Sequence, residues 1–227
     1  MSHLVLVITD QESNAQIKSL GVALLEIRTD LFKKLDPSYI VDQIKHRKLL
    51  KTPLLLTVRN QKQEGAIKNF SDDQKWQIIT TALPLVDMVD IELSSPLLKQ
   101  TIVLARRLKK KVIVSSHYFK AMPTNLETVF KKSLSTRADI VKIAAKASGF
   151  DDVLTMLNFT RRHSGAGHRQ HKHPLITMCL GPQGAISRLI LPAAGSLYTY
   201  TFLNKPSAPG QIDIATLKSH LKIYLIG

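Results

Sequence analysis

One pattern restricts the fold of this chain more than any other: eight short apolar runs recur from end to end, with segments of helical period between them. The runs are Leu4 to Ile8, Val22 to Ile27, Leu54 to Val58, Val86 to Leu93, Lys111 to Ser115, Ala138 to Ala144, Leu175 to Leu180 and Ser196 to Phe202. Most are apolar on both faces, as parallel strands are when helices cover them, instead of alternating like a strand with one wet face. The segments between them carry helix signals. Ser71-Asp72-Asp73-Gln74 and Thr124-Asn125-Leu126-Glu127 both fit a capping box, in which the first and fourth side chains satisfy orphan backbone amides reciprocally. Trp76, Ile79 and Leu83 follow the first box at helical spacing, and Val129, Phe130 and Leu134 follow the second. After Pro96, the residues Leu98, Ile102 and Ala105 form an apolar stripe.

Strand and helix alternate without a Pro/Gly/Ser-rich linker or a shift in composition, so one domain over residues 1–227 is the economical reading. Eight βα units in 227 residues predict an α/β fold, a single-domain (β/α)8 TIM barrel at the compact end of its size range. A doubly wound open sheet would normally place a glycine-rich phosphate turn after its first strand. Here the first strand runs into Thr9-Asp10-Gln11-Glu12, and no dinucleotide fingerprint or P-loop occurs.

Composition narrows the class further. With 44% hydrophobic residues, the chain can bury enough surface to offset its ordering entropy. Its 32 Lys+Arg against 17 Asp+Glu leave a net charge of +15, which invites a polyanion partner. The basic residues are nevertheless spread over predicted helix faces, with no interleaved aromatic binding motif. From residue 153 onward there are eight Lys+Arg and one acid, Asp213, whereas Glu26, Glu64, Asp90, Glu92 and Asp139 lie in or beside predicted strand ends. The acids are thus partly reserved for a site, and neither a nucleic-acid nor a membrane partner is expected. A single cysteine, Cys179, cannot form an internal disulfide. The apolar run at the N-terminus is too short for a signal peptide or a membrane span. A cytoplasmic location is expected.

In a barrel the C-terminal ends of the strands converge on one mouth. Glu26 and Arg28 end the second run, Arg59 the third, Asp90 and Glu92 the fourth, and His117 follows the fifth. Lys142 lies inside the sixth, among apolar neighbours where an ammonium is costly to desolvate. Such a lysine, made partly neutral, is a nucleophile toward carbonyls and can form a Schiff base; alternatively it is paired with a carboxylate of a neighbouring strand. His117 would stand beside it and suits proton transfer in both directions. The segment Gly181-Pro182-Gln183-Gly184-Ala185-Ile186-Ser187-Arg188 opens the next helix and could hold a carboxylate or phosphate through its amides and Arg188. Ser207-Ala208-Pro209-Gly210-Gln211 offers a hydroxyl and an amide after the eighth run, or is a plain turn. The stretch from Arg161 to His173 holds four histidines, but without carboxylate or thiolate company it reads as a basic loop and not as a metal site.

Taken together, Leu25 to Asp30, Leu56 to Arg59, Asp90 to Leu93, Ser115 to Phe119, Ala138 to Ala144, Gly181 to Arg188 and Ser207 to Gln211 resemble type I 3-dehydroquinate dehydratase, in order and over nearly the whole chain. The resemblance implies a (β/α)8 barrel, usually a homodimer, that dehydrates 3-dehydroquinate to 3-dehydroshikimate in the shikimate pathway, with no metal or cofactor. It implies that Lys142 forms the Schiff base, that His117 is the general acid/base, and that Glu64 orients the histidine. Glu26, Arg28, Arg59, Arg188, Ser207 and Gln211 correspond to the substrate-binding set, with Arg188 facing the substrate carboxylate. Two departures stand out. Glu64 lies one residue farther from Arg59 than the family pattern has it and is followed by Gly65-Ala66, and Leu180 replaces the usual methionine before Gly181, a volume-conserving swap. On the lysine chemistry alone, a class I aldolase or transaldolase of a small anionic sugar is the competing enzyme class.

Overall fold

The computed structural model describes residues 3–59, 71–164 and 173–224. Eight strands pair in parallel: β1 (His3–Ile8), β2 (Leu24–Arg28), β3 (Leu54–Thr57), β4 (Met88–Glu92), β5 (Lys111–Tyr118), β6 (Ile140–Lys146), β7 (Leu175–Leu180) and β8 (Tyr198–Phe202). Their order is β7-β6-β5-β4-β3-β2-β1-β8, and a two-residue strand β9 (Ile212–Asp213) adds to the edge of β8. The ends of this order meet. Leu197 N donates to Leu175 O at 2.8 Å, and Ser196 Oγ accepts from Thr177 N at 3.0 Å, which closes the sheet into a (β/α)8 barrel.

The helices α1 (Asn14–Lys18), α2 (Pro37–Lys48), α3 (Asp72–Ala82), α4 (Leu98–Arg107), α5 (Leu126–Ser135), α6 (Phe150–His163), α7 (Ser187–Ala193) and α8 (Ile214–Tyr224) surround the strands. At α3 the capping box forms as expected: Ser71 Oγ accepts from Gln74 N at 3.2 Å while Gln74 Oε1 accepts from Ser71 N at 2.9 Å. At α5 the expected box does not form. The helix begins one residue later, so Asn125 takes the cap and its Oδ1 accepts from Thr128 N at 2.9 Å; asparagine is the stronger cap of the two candidates. Glu127 is left to pair with His163 Nε2 at 2.8 Å.

Side chains alternate between the two faces of each strand with a period of two. One phase packs outward on the helices, as Leu25, Ile27, Val89, Ile91, Val112 and Val114 do, with Val141, Ile143 and Ala145 doing the same farther round. The other phase fills the barrel. Val5, Leu24, Leu55, Met88, Ile113, Ile140 and Ile176 form its apolar floor. Two residues further along the same strands stand Glu26, Thr57, Asp90, Ser115, Lys142 and Met178, followed by Arg28, Arg59, Glu92, His117 and Ala144. The apolar floor therefore supports a charged layer that opens toward the C-terminal ends of the strands.

The fifth strand differs from its expected extent in one useful way. It runs on to Tyr118, because Ser116, His117 and Tyr118 pair with Ile143, Ala144 and Ala145 of β6. His117 is therefore a strand residue on a rigid element and not part of the following loop. Asp139 also moves out of the expected set. It lies just before β6, where its Oδ2 accepts from Val112 N at 2.8 Å, an ordinary strand-end contact.

Candidate active site

Lys142, 4% exposed, is held by groups that are remote in sequence. Its Nζ lies 3.1 Å from Asp90 Oδ2 and 3.6 Å from Glu26 Oε1, and 4.1 Å from the ring centroid of Tyr200. The apolar neighbours that surround it in sequence face the helices, so the lysine is not isolated. Lys142 is thus paired with carboxylates, though from β4 and β2 and not from an adjacent strand, and it lines a cavity.

Asp90 and Glu92 organise the rest of the charged layer. Arg59 Nη2 is 3.0 Å from Asp90 Oδ1, and its Nη1 is 2.7 Å from Glu92 Oε1. Ser115 Oγ donates to Asp90 Oδ1 at 2.6 Å. From α3, the fully buried Lys75 reaches Glu92 Oε2 at 2.7 Å. Burial opposes the charge on Asp90, but Arg59 and Lys142 outweigh it and hold the carboxyl far below the usual range. Burial likewise opposes the Arg59 cation, and the two carboxylates more than compensate. Arg28 is clamped by Asp30, with Nε to Oδ1 at 2.9 Å and Nη2 to Oδ2 at 2.7 Å, a bidentate pair of the strong kind. Thr57 Oγ1 donates to Glu26 Oε1 at 2.9 Å.

His117 extends from β5 above Ser115, whose strand neighbour on β6 is Lys142, and stacks on Phe119 with ring centroids 6.3 Å apart. Burial, reinforced by the nearby Arg59 and Lys142 charges, pushes its imidazole well below the ordinary histidine value. The ring is accordingly neutral at physiological pH and can accept a proton.

Arg188 behaves differently from the other two arginines. It is 1% exposed, its Nη1 points at Met178 Sδ at 3.3 Å, and its Nε and Nη2 are buried with no hydrogen-bond partner among the described residues. Burial without an anion lowers the guanidinium to about 10, so it is still charged at neutral pH. A cation this deep without a counter-charge is costly, and it stands ready to receive an anion.

The loop after β8 completes the mouth. Gln211 Oε1 accepts from Ser207 N at 2.6 Å, Ala208 N at 3.2 Å and Ser207 Oγ at 3.2 Å. The loop lies on the end of β7, where Gly181 N donates to Pro209 O at 3.2 Å. Gly210 makes this seat possible: its φ is +75°, and a Cβ there would come within 2.3 Å of Gly181 O, a double requirement that only glycine meets.

Glu26, Arg28, Arg59, His117, Lys142, Arg188, Ser207 and Gln211 all line one cavity of about 260 Å³, a size suited to a small ligand. Glu64 lies outside the described residues. Arg188 is the second residue of α7. Tyr200, Met178 and Phe119 also line the cavity but carry no sequence signal that separates them from core residues. Of the four histidines between Arg161 and His173, His168 and His171 lie outside the described residues. The other two make structural contacts: His163 binds Glu127 and packs on Phe130 and Phe159, and His173 Nε2 lies 3.0 Å from Ala138 O. Among the described residues no group of three or more His, Cys, Asp or Glu is arranged to hold a metal, and no helix is long and apolar enough to cross a membrane.

An amine, a neutral imidazole and an unpaired guanidinium on one small cavity are suited to condensation with a carbonyl, proton transfer beside it, and anchoring of an anionic substrate. Comparisons with known proteins point the same way. A sequence profile described as Type I 3-dehydroquinase matches residues 4–226. The chain is 34% identical to the 3-dehydroquinate dehydratase of Shigella flexneri serotype 5b, over 92% of this chain and 88% of the relative. It is 32% identical to the enzyme of that name from Hydrogenobaculum sp., over 91% of each. Among solved structures it is similar to the type I 3-dehydroquinate dehydratase of Clostridium difficile described with covalently modified comenic acid. There the TM-score is 0.85 at 27% identity, over 98% of this chain and 91% of the other.

Proposed function

Because this chain belongs to the type I 3-dehydroquinase family, we propose that it dehydrates 3-dehydroquinate to 3-dehydroshikimate through a Schiff base on Lys142, as a step of aromatic biosynthesis. The observation that carries the reading is the meeting of Lys142, His117 and Arg188 on one cavity. The whole chain, 1–227, acts as one catalytic barrel. We further propose that it works as a cytoplasmic homodimer.

Arg188 takes the substrate carboxylate through the two donors it leaves unfilled, and Ser207 and Gln211 close over the same end. Glu26, Arg28 and Arg59 shape the opposite wall. The Lys142 amine, once deprotonated, attacks the ketone carbon, and loss of the ketone oxygen as water leaves an iminium. The positive charge then sits where the ammonium was, so Asp90, Glu26 and the face of Tyr200 are already in place to stabilise it. His117 takes a proton from the adjacent carbon, and the electron pair moves into the iminium to give an enamine. The enamine expels the neighbouring hydroxyl as His117 returns the proton, and one water leaves. Hydrolysis of the remaining iminium frees the amine and the enone. Glu64 is assigned the pairing and orientation of His117.

The test is to follow enone absorbance on adding 3-dehydroquinate to the purified protein. Steady growth of the enone is expected. Absence of turnover, or aldol cleavage into two carbonyl fragments, overturns the assignment.

A further inference from the structure

Thr199, Tyr200 and Thr201 follow one another in β8, and both threonines have protein partners. Thr199 Oγ1 donates to Arg188 O at 3.1 Å, and Thr201 Oγ1 donates to Ile212 O at 2.7 Å. The third, Tyr200, stands between them in the inward phase and is 3% exposed. Its ring faces Lys142 Nζ at 4.1 Å and lines the cavity. Its hydroxyl is buried with no hydrogen-bond partner among the described residues.

Packing and the cation–π contact explain the ring but not the oxygen. A phenylalanine would supply both and would avoid burying an unsatisfied polar group, which folded proteins rarely tolerate. Tyr200 lines the same cavity as Arg188, whose Nε and Nη2 are likewise buried without a hydrogen-bond partner among the described residues. Three unfilled hydrogen-bonding positions in one small space match a ligand that carries several oxygens.

We propose that Tyr200 is a specificity-determining residue whose hydroxyl donates a hydrogen bond to an oxygen of the bound substrate. The proposal rests on the dehydratase reading. Burial, assisted by the Glu26 and Asp90 charges, raises the phenol well above its ordinary value, so the group stays protonated and is a donor at every working pH.

Tyr200→Phe keeps the ring and removes only the hydroxyl. Assayed with 3-dehydroquinate beside the wild type, it is expected to lose about ten-fold in kcat/KM, mostly through a higher KM. The thermal midpoint of the ligand-free variant should be equal to or above that of the wild type, because an unsatisfied group has gone, while the upward shift produced by saturating substrate shrinks. Unchanged kinetic constants in an active protein overturn the proposal alone. A lower midpoint without ligand assigns the hydroxyl a structural role and also overturns it. A wild type that does not dehydrate 3-dehydroquinate fails the dehydratase reading itself, and this proposal falls with it.

Discussion

Asp90 Oδ2 lies 3.1 Å from Lys142 Nζ, while the other oxygen of the same carboxylate takes Arg59 Nη2 at 3.0 Å. One buried anion thus serves two buried cations, Lys142 of β6 and Arg59 just past the end of β3. Asp90→Asn removes one of the two carboxylates that each cation faces, leaving Arg59 with Glu92 and Lys142 with Glu26, so we expect a loss of about 3 kcal/mol in folding stability, measurable by urea unfolding with an unchanged m-value.

Arg188 should show the opposite balance. Its guanidinium is buried with two unfilled donor nitrogens, a configuration that costs folding free energy and that the proposed function assigns to ligand binding. In Arg188→Met the ligand-free protein should be as stable as the wild type or more so, while kcat/KM for 3-dehydroquinate falls by about 100-fold or more. Thermal melts and steady-state kinetics on the same preparation check both halves.

The sign of the pH dependence follows from His117 and Asp90. His117 is held well below its ordinary value in the fold, so in the window below about 6.5 the unfolded chain binds a proton that the folded one does not. Stability therefore falls as pH drops through that window. Asp90 is also depressed, so its contribution is present above the ordinary aspartate value and is lost as pH falls further. We expect stability to decline on the acid side from about pH 6.5 downward. The acid limb of kcat/KM should lie below the ordinary histidine value, as a pH series of melts and rates would record.

Gly210 offers a test of the loop. With φ at +75° and Gly181 O only 2.3 Å from the point a Cβ would occupy, Gly210→Ala must displace the Ser207 to Gln211 segment from β7. We expect KM to rise several-fold with only a small change in the barrel's denaturation midpoint, since the loop lies at the mouth.

Much of this arrangement is legible in the chain itself. The apolar runs mark every strand of the barrel except the two-residue β9, and the period of two along each strand places Glu26, Asp90 and Lys142 on the inner face. Two kinds of feature escape. The first is pairing between remote segments: Lys142 and Asp90 are 52 residues apart, so local sequence shows an apolar setting where the fold supplies two carboxylates. The second is a polar group on a residue that otherwise reads as core. Tyr200 looks like a packing aromatic until its hydroxyl is found without a partner among the described residues, and His117 looks like a loop residue until β4 and β6 are seen to flank the strand that carries it.

The most direct test of the Schiff-base mechanism is to incubate the protein with 3-dehydroquinate, reduce with borohydride and locate the adduct by peptide mass spectrometry. We expect a single modification, on Lys142, absent from Lys142→Met. An adduct on any other residue, or undiminished turnover by Lys142→Met, contradicts it.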